Sequence, residues 1–157
     1  MKTLIVYASK YGAAGEAAKR IANRLDGADV RDLKGDEIPS LADYDCIVAG
    51  SAIYAGQVRK ELKAFLAQHE AGLLKGKGKL GLFVCGLEQA EADNVFKNNF
   101  SAEVLQTAQA TAFLGGRFDP KKANAAERFI MKAIAKKAEY VDTLDDEAIR
   151  CFVEEIK

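Results

Sequence analysis

Six residues, Ser9-Lys10-Tyr11-Gly12-Ala13-Ala14, join an apolar run, Thr3 to Ala8, to a helix-like run from Ala14 to Leu25. The N–H groups at a helix start are unpaired and carry partial positive charge, which suits a phosphate dianion. Gly12 lets the backbone come close to such a group, and Ser9 offers a hydroxyl. The stretch has neither the GxxxxGK[ST] pattern of a nucleoside triphosphate loop nor the GxGxxG of a dinucleotide loop, so it is sized for one terminal phosphate. Two further apolar runs end in small-residue loops. Cys46 to Gly50 passes into Ser51-Ala52-Ile53-Tyr54-Ala55-Gly56, and Leu80 to Cys85 passes into Gly86-Leu87. In a parallel sheet these three ends lie at one edge, where ligands of such sheets bind.

Other chemistries have little to work with. A single histidine, His69, sits at the end of the helix expected from about Gln57, where the dipole favours it. One histidine leaves almost nothing for a Ser/His/Asp triad or a His-based metal site. The three cysteines, Cys46, Cys85 and Cys151, have no CxxC or Cys/His spacing, so they read as buried free thiols rather than disulfides or zinc ligands. Cys85 ends its strand at the ligand edge.

The elements that must position these loops alternate strand and helix. Strands are expected at 2–8, 28–33, 45–50, 79–85 and 109–115. The first helix carries Ala17, Ala18, Ile21, Ala22 and Leu25 at helical spacing, and the second carries Val58, Leu62, Phe65 and Leu66. Residues 86–108 are irregular, with short helices at Asn94 to Phe100 and Ala102 to Thr107. Gly115-Gly116 and Asp119-Pro120 mark a loop. Two helices close the chain. One buries Phe129, Ile130, Ala133 and Ile134; the other buries Ala148, Ile149, Phe152, Val153 and Ile156, with Thr143 as its N-cap. Right-handed crossovers then predict an α/β fold, a three-layer doubly wound sheet of five parallel strands ordered 2-1-3-4-5.

The 157 residues suit one domain that folds without metal or disulfide. The N-terminus meets Lys10 too soon for a signal-peptide core, which points to the cytoplasm.

Three stretches carry a family resemblance: MKTLIVYASKYG, DYDCIVAGSAIYAGQVRKELKAFL and FLGGRFDPKKANAAERFIMKAIAKK. Over nearly its whole length the chain resembles the flavodoxin family. Within it, the chain looks most like the flavodoxin-type, quinone-dependent protoporphyrinogen oxidases and their relatives, because ordinary short flavodoxins lack the last stretch. The resemblance implies non-covalent FMN at the three loop ends. By position, Ser9, Lys10, Tyr11, Gly12, Ala13 and Ala14 would hold the FMN phosphate. Ala52, Ile53, Tyr54, Ala55 and Gly56 would flank one side of the ring, with Tyr54 the aromatic contact. Cys85, Gly86 and Leu87 would begin the loop covering the other side. Apart from the resemblance, Tyr54 reads more readily as packing over the sheet end than as a ligand contact.

One departure bears on the cofactor. The family's phosphate loop reads T/S-x-T-G-x-T, whereas Tyr11 and Ala14 stand here in place of two small hydroxyl residues. A hydrogen bond to a charged group is worth roughly 1.5–3 kcal/mol, so the missing Ala14 hydroxyl weakens FMN binding about tenfold to a hundredfold unless something compensates. Lys10 is the candidate replacement charge.

The chain has 23 basic and 23 acidic residues, without the acidic steering field of a flavodoxin that docks on basic reductases. Residues 117–137 carry seven Lys or Arg against Asp119 and Glu127, and residues 138–157 carry seven acids against Arg150 and Lys157. Arg128, Lys132 and Lys136 form a stripe that reads either as a solvated face or as a docking surface for an acidic partner, a propionate-bearing substrate or an anionic membrane. Nucleic acid is disfavoured by zero net charge, and membrane contact is at most peripheral. Residues 86–108 carry Glu88, Glu91, Asp93 and Glu103 against Lys97 alone, unlike the basic insert of the membrane-associated oxidases. Three functions remain open. One is a flavoenzyme passing electrons from a substrate such as a porphyrinogen to a quinone. The second is a non-enzymatic carrier serving a redox partner protein, and the third is a flavin-free binding module.

Overall fold

The computed structural model describes residues 1–135 and 139–157. In chain order the elements are β1 (Thr3–Ala8), α1 (Ala13–Arg24), β2 (Asp29–Asp32), β3 (Cys46–Tyr54), β4 (Gln57–Val58), α2 (Lys60–Lys75), β5 (Lys79–Cys85), α3 (Ala92–Asn99), α4 (Ala102–Thr107), β6 (Ala110–Phe113), β7 (Arg117–Phe118), α5 (Ala125–Ala135), β8 (Val141–Asp142) and α6 (Asp146–Ile156). The central strands pair in parallel in the order β2-β1-β3-β5-β6, which is the predicted 2-1-3-4-5. The central strands are buried on both faces, which is why TLIVYA and LGLFVC are almost continuously apolar rather than alternating.

Each sheet face has its own core. On one, α1 and α6 pack Ala17, Ala18, Ile21, Ile149, Phe152 and Ile156 over Ile5, Val48 and Phe83. On the other, α2 and α4 pack Leu62, Phe65 and Val104 over Leu4, Val6, Ala49 and Leu82. His69 is interior to α2, which runs on to Lys75, and its ring lies 4.7 Å from that of Phe65, so it packs rather than ending the helix.

Several expectations are corrected. β3 runs on to Tyr54, and β4 returns antiparallel to it, so the predicted loop after Gly50 is a hairpin turning at Ala55-Gly56. Both turn residues have positive φ, 51° and 74°, as a type I′ hairpin turn requires. The N-cap of α6 is Asp145, not Thr143: the Asp145 carboxylate accepts from the N–H groups of Glu147 and Ala148, at 3.0 and 3.1 Å. Thr143 instead binds the Gly116 backbone. Cys151 is exposed, because Ile149, Phe152, Val153 and Ile156 take the inner face of α6 and position 151 points away.

The largest addition to the predicted fold follows β6. β7 and β8 form a two-stranded antiparallel ribbon, with Arg117 opposite Asp142 and Phe118 opposite Val141, and α5 lies between them. A third apolar cluster, Tyr11, Phe118 and Ala123, fastens this arm to the loop after β1. On α5, Phe129 is 74% exposed and Ala133 is also exposed, against the expected burial. Lys136 and the side chains of Ile130 and Ile134 lie outside the described residues.

Candidate functional site

The C-terminal ends of β1, β3 and β5 meet at one edge of the sheet. There Lys10, Tyr11 and Ala13 border a cavity with Ala52, Ile53, Tyr54 and Ala55 on one side and Cys85, Gly86 and Leu87 on the other. Ser9 and Gly12 border an adjoining depression that shares Lys10 and Arg117 with the cavity. Two of the predicted residues border neither space. The Ala14 side chain is buried in the core beneath α1, and Gly56 serves the hairpin turn.

The turn after β1 has features suited to an anion. Gly12, with φ of 88°, caps α1 with no side-chain acceptor on the helix N–H groups. The Ser9 hydroxyl oxygen is buried and has no hydrogen-bond partner. A buried polar group left unpaired costs free energy, and a phosphate oxygen in the adjoining depression would pair it.

Tyr11 has a different role from the small hydroxyl it replaces. Its ring packs edge-on against Phe118, 5.1 Å between centroids, and its hydroxyl donates to Glu127 at 2.5 Å. Burial, then the Glu127 contact, pushes its pKa upward. Glu127 also pairs with Lys10 at 2.6 Å. Desolvation alone would raise the Glu127 carboxyl, but the contacts from Lys10 and Tyr11 outweigh it and hold the group below its usual range. Lys10 lies 4.7 Å from the centre of the Tyr54 ring, a cation–π distance. The charge expected to replace a lost hydroxyl is thus already paired with a carboxylate.

The hairpin wall is held from outside the sheet. Asn99 on α3 donates through Nδ2 to the Gly56 carbonyl at 2.9 Å and accepts from the Val58 N–H at 3.0 Å. The second wall is held by the arm, since the Gly86 N–H donates to the Gly115 carbonyl at 2.9 Å. Sequence reasoning missed Asn99, Arg117, Phe118 and Glu127. Only the Gly115-Gly116 pair before Arg117 hinted at a close backbone approach.

Cys85 is fully enclosed, and burial, partly opposed by Arg117, pushes its thiol up to about 12. Burial likewise lifts Cys46 to about 11. Neither forms a thiolate readily near neutral pH. A thiol-specific reagent at mildly alkaline pH should therefore label Cys151 promptly, and Cys46 and Cys85 only after unfolding; a second fast thiol would contradict the packing at the site.

Among the described residues, no cluster of His, Cys, Asp and Glu could hold a metal ion, and no helix is long and apolar enough to cross a membrane.

A doubly wound parallel sheet in this strand order, with three strand ends bordering a cavity at one edge, is the flavodoxin-like arrangement. Residues 4–145 match the family described as Flavodoxin domain, and the chain belongs to that family. No functionally curated protein matches the chain by sequence. Solved structures share the fold at low identity. A short-chain flavodoxin associated with a non-canonical PDU bacterial microcompartment is 13% identical, with TM-score 0.60 over 99% of this chain and 96% of its own. Oxidised flavodoxin 1 from Bacillus cereus is 16% identical, with TM-score 0.57 over 98% and 93%. A flavoprotein from Lactobacillus acidophilus, solved in complex with FMN, is 16% identical, with TM-score 0.54 over 71% and 92%.

FMN is the cofactor of this family, and the residues present fit it at the phosphate end: an unpaired buried hydroxyl, a glycine-capped helix start and flanking cations. The ring end has suitable walls but is narrow. Its cavity measures about 90 Å³, against roughly 300 Å³ or more for ligand clefts. Tyr11, Leu87 and Phe118, which pack together in the cluster that fastens the arm, are among the residues that line it.

Proposed function

We propose that this chain is an FMN-dependent redox protein of the flavodoxin family, and that it acts as an oxidoreductase on an aromatisable substrate of the porphyrinogen type. The observation that carries the first part is the buried, unpartnered Ser9 hydroxyl beside the Gly12-capped start of α1. Bound FMN would accept electrons from one partner and pass them to another. The chain's own part would be to bind and orient it. Ser9 and the first N–H groups of α1 would hold the phosphate, while Tyr54 and Leu87 would wall the ring. The apolar cluster of Tyr11 and Phe118 would keep water from it.

The finer reading is supported by the arm from β7 to β8. It contains most of the stretch that resembles the flavodoxin-type protoporphyrinogen oxidases, and it puts exposed Phe129 beside exposed Arg128 and Lys132 on α5. An apolar ring flanked by cations suits a flat substrate bearing propionates, or a quinone at an anionic surface. In that reaction the porphyrinogen loses electrons and protons as it becomes the porphyrin, and the quinone gains them as it becomes the quinol.

A second reading, a non-enzymatic carrier for a redox partner protein, has its own support in Glu88, which borders the cavity, and in the exposed Asp93 and Glu103 nearby in sequence. Anaerobic mixing of the FMN-loaded protein with protoporphyrinogen and a soluble quinone tests the choice. Porphyrin fluorescence growing faster than in the protein-free control supports the oxidase. No acceleration, with the protein still reduced and reoxidised by a reductase system, would support the carrier.

A further inference from the structure

Arg117 enters from the arm, a segment the phosphate-loop pattern does not include. On β7 its Nε and Nη2 both donate to Asp142, at 3.2 and 3.0 Å, which fixes the guanidinium plane. The third nitrogen, Nη1, points the other way. It lies 3.1 Å from where a Cβ on Gly12, the residue that caps α1, would stand. The side chain is 20% exposed and borders both the cavity and the depression containing Ser9. The depression gathers Lys10, Lys19 and Arg117 against Glu16 and Asp32, and Glu16 is paired with Arg20 at 3.0 Å. Lys10, by contrast, is paired with Glu127. A planar guanidinium with one edge anchored on a carboxylate and the other turned to a helix start is pre-organised for a phosphate oxygen.

We propose that Arg117 is a phosphate ligand of the cofactor, supplied by the arm in place of the loop hydroxyls that Tyr11 and Ala14 have displaced. The proposal rests on the FMN reading above. It also gives Gly12 a second reason to be glycine, since a side chain there would meet Nη1. Asp142 acts as a positioning residue, and its pKa reflects this: burial pulls it upward, but the Leu144 N–H and Arg117 hold it below its ordinary value.

The test compares FMN with riboflavin, which lacks the phosphate, on the flavin-stripped full chain and on Arg117→Gln and Arg117→Lys. Calorimetric titration is the readout, with thermal unfolding of the unliganded proteins as the folding check. The expected result is that Arg117→Gln weakens FMN binding about tenfold to a hundredfold and leaves riboflavin affinity unchanged, with Arg117→Lys recovering part of the loss. Equal weakening of both ligands would overturn the proposal by placing Arg117 on the ring. Unchanged FMN preference in Arg117→Gln would overturn it too, while the FMN reading stood. If the unsubstituted protein binds neither flavin, the FMN reading and the proposal fall together. Should Arg117→Gln not fold, Arg117→Lys decides alone, and full wild-type discrimination in that variant would count against the guanidinium fork.

Discussion

Gly115→Ala should lower stability by about 2–5 kcal/mol and weaken FMN binding at least about tenfold. Gly115 has φ of 81°, and a Cβ built there falls 1.9 Å from the Thr143 carbonyl oxygen. That obstacle is backbone, held by the Thr143 N–H donating to the Gly116 carbonyl at 2.8 Å and the Asp145 N–H donating to the Leu114 carbonyl at 3.0 Å. It cannot swing aside as a side chain would. The neighbouring Gly116 is similarly pressed, its Cβ position lying 2.6 Å from the Gly86 carbonyl carbon. The junction therefore joins the arm, the second wall of the cavity and the start of α6, and displacing it carries Arg117 away from Gly12. Thermal unfolding and FMN titration check this. A variant with wild-type melting temperature and affinity would show that the arm is not seated as described.

Phe83→Ala should cost about 3–5 kcal/mol, the range for a large side chain removed from a rigid core. Phe83 is fully buried on β5, with its ring 6.2 Å from that of Phe152 at 74°. Its partner across the strand pairing is Gly50, where a Cβ would come within 2.1 Å of the ring. The ring thus lies over β3 in space that only glycine leaves open. Removing it opens a void between β3, β5 and α6 that rigid strands do not close. With total stability of roughly 5–15 kcal/mol for such a domain, chemical denaturation should show a large shift of midpoint. A loss below about 1 kcal/mol would contradict the packing.

The strand order, the loop ends after β1 and β5 and the short helices of residues 86–108 were legible in the sequence because each rests on local signals. Apolar runs, glycine punctuation and helical spacing are properties of neighbours along the chain. The arm was not legible for the opposite reason. β7 and β8 are two-residue strands far apart in sequence, paired through Arg117 and Asp142, and no periodicity marks so short a pairing. Phe129 was read as core because helical spacing reports that a helix is amphipathic and not what covers it. Cys151 failed through a related shortcut, since a cysteine beside Phe152 sits on a different face of the helix from it. Ser9, Gly12 and Tyr54 could be placed at the sheet edge from the loop ends, and Tyr54 as a ring contact only through the family resemblance. Arg117 was seen only as one charge among seven in residues 117–137, because its approach to Gly12 depends on the arm folding back.

The central claim is that the turn after β1 holds the phosphate of FMN. Titration of the flavin-stripped protein with FMN and with riboflavin, followed by flavin fluorescence, tests it most directly. Saturable FMN binding, at least about tenfold tighter than riboflavin, is the result expected from a buried Ser9 hydroxyl, an open helix start and a nearby guanidinium. Equal affinity for the two, or no saturable binding of either, would mean that the turn does not hold a phosphate and would remove the basis of the redox reading.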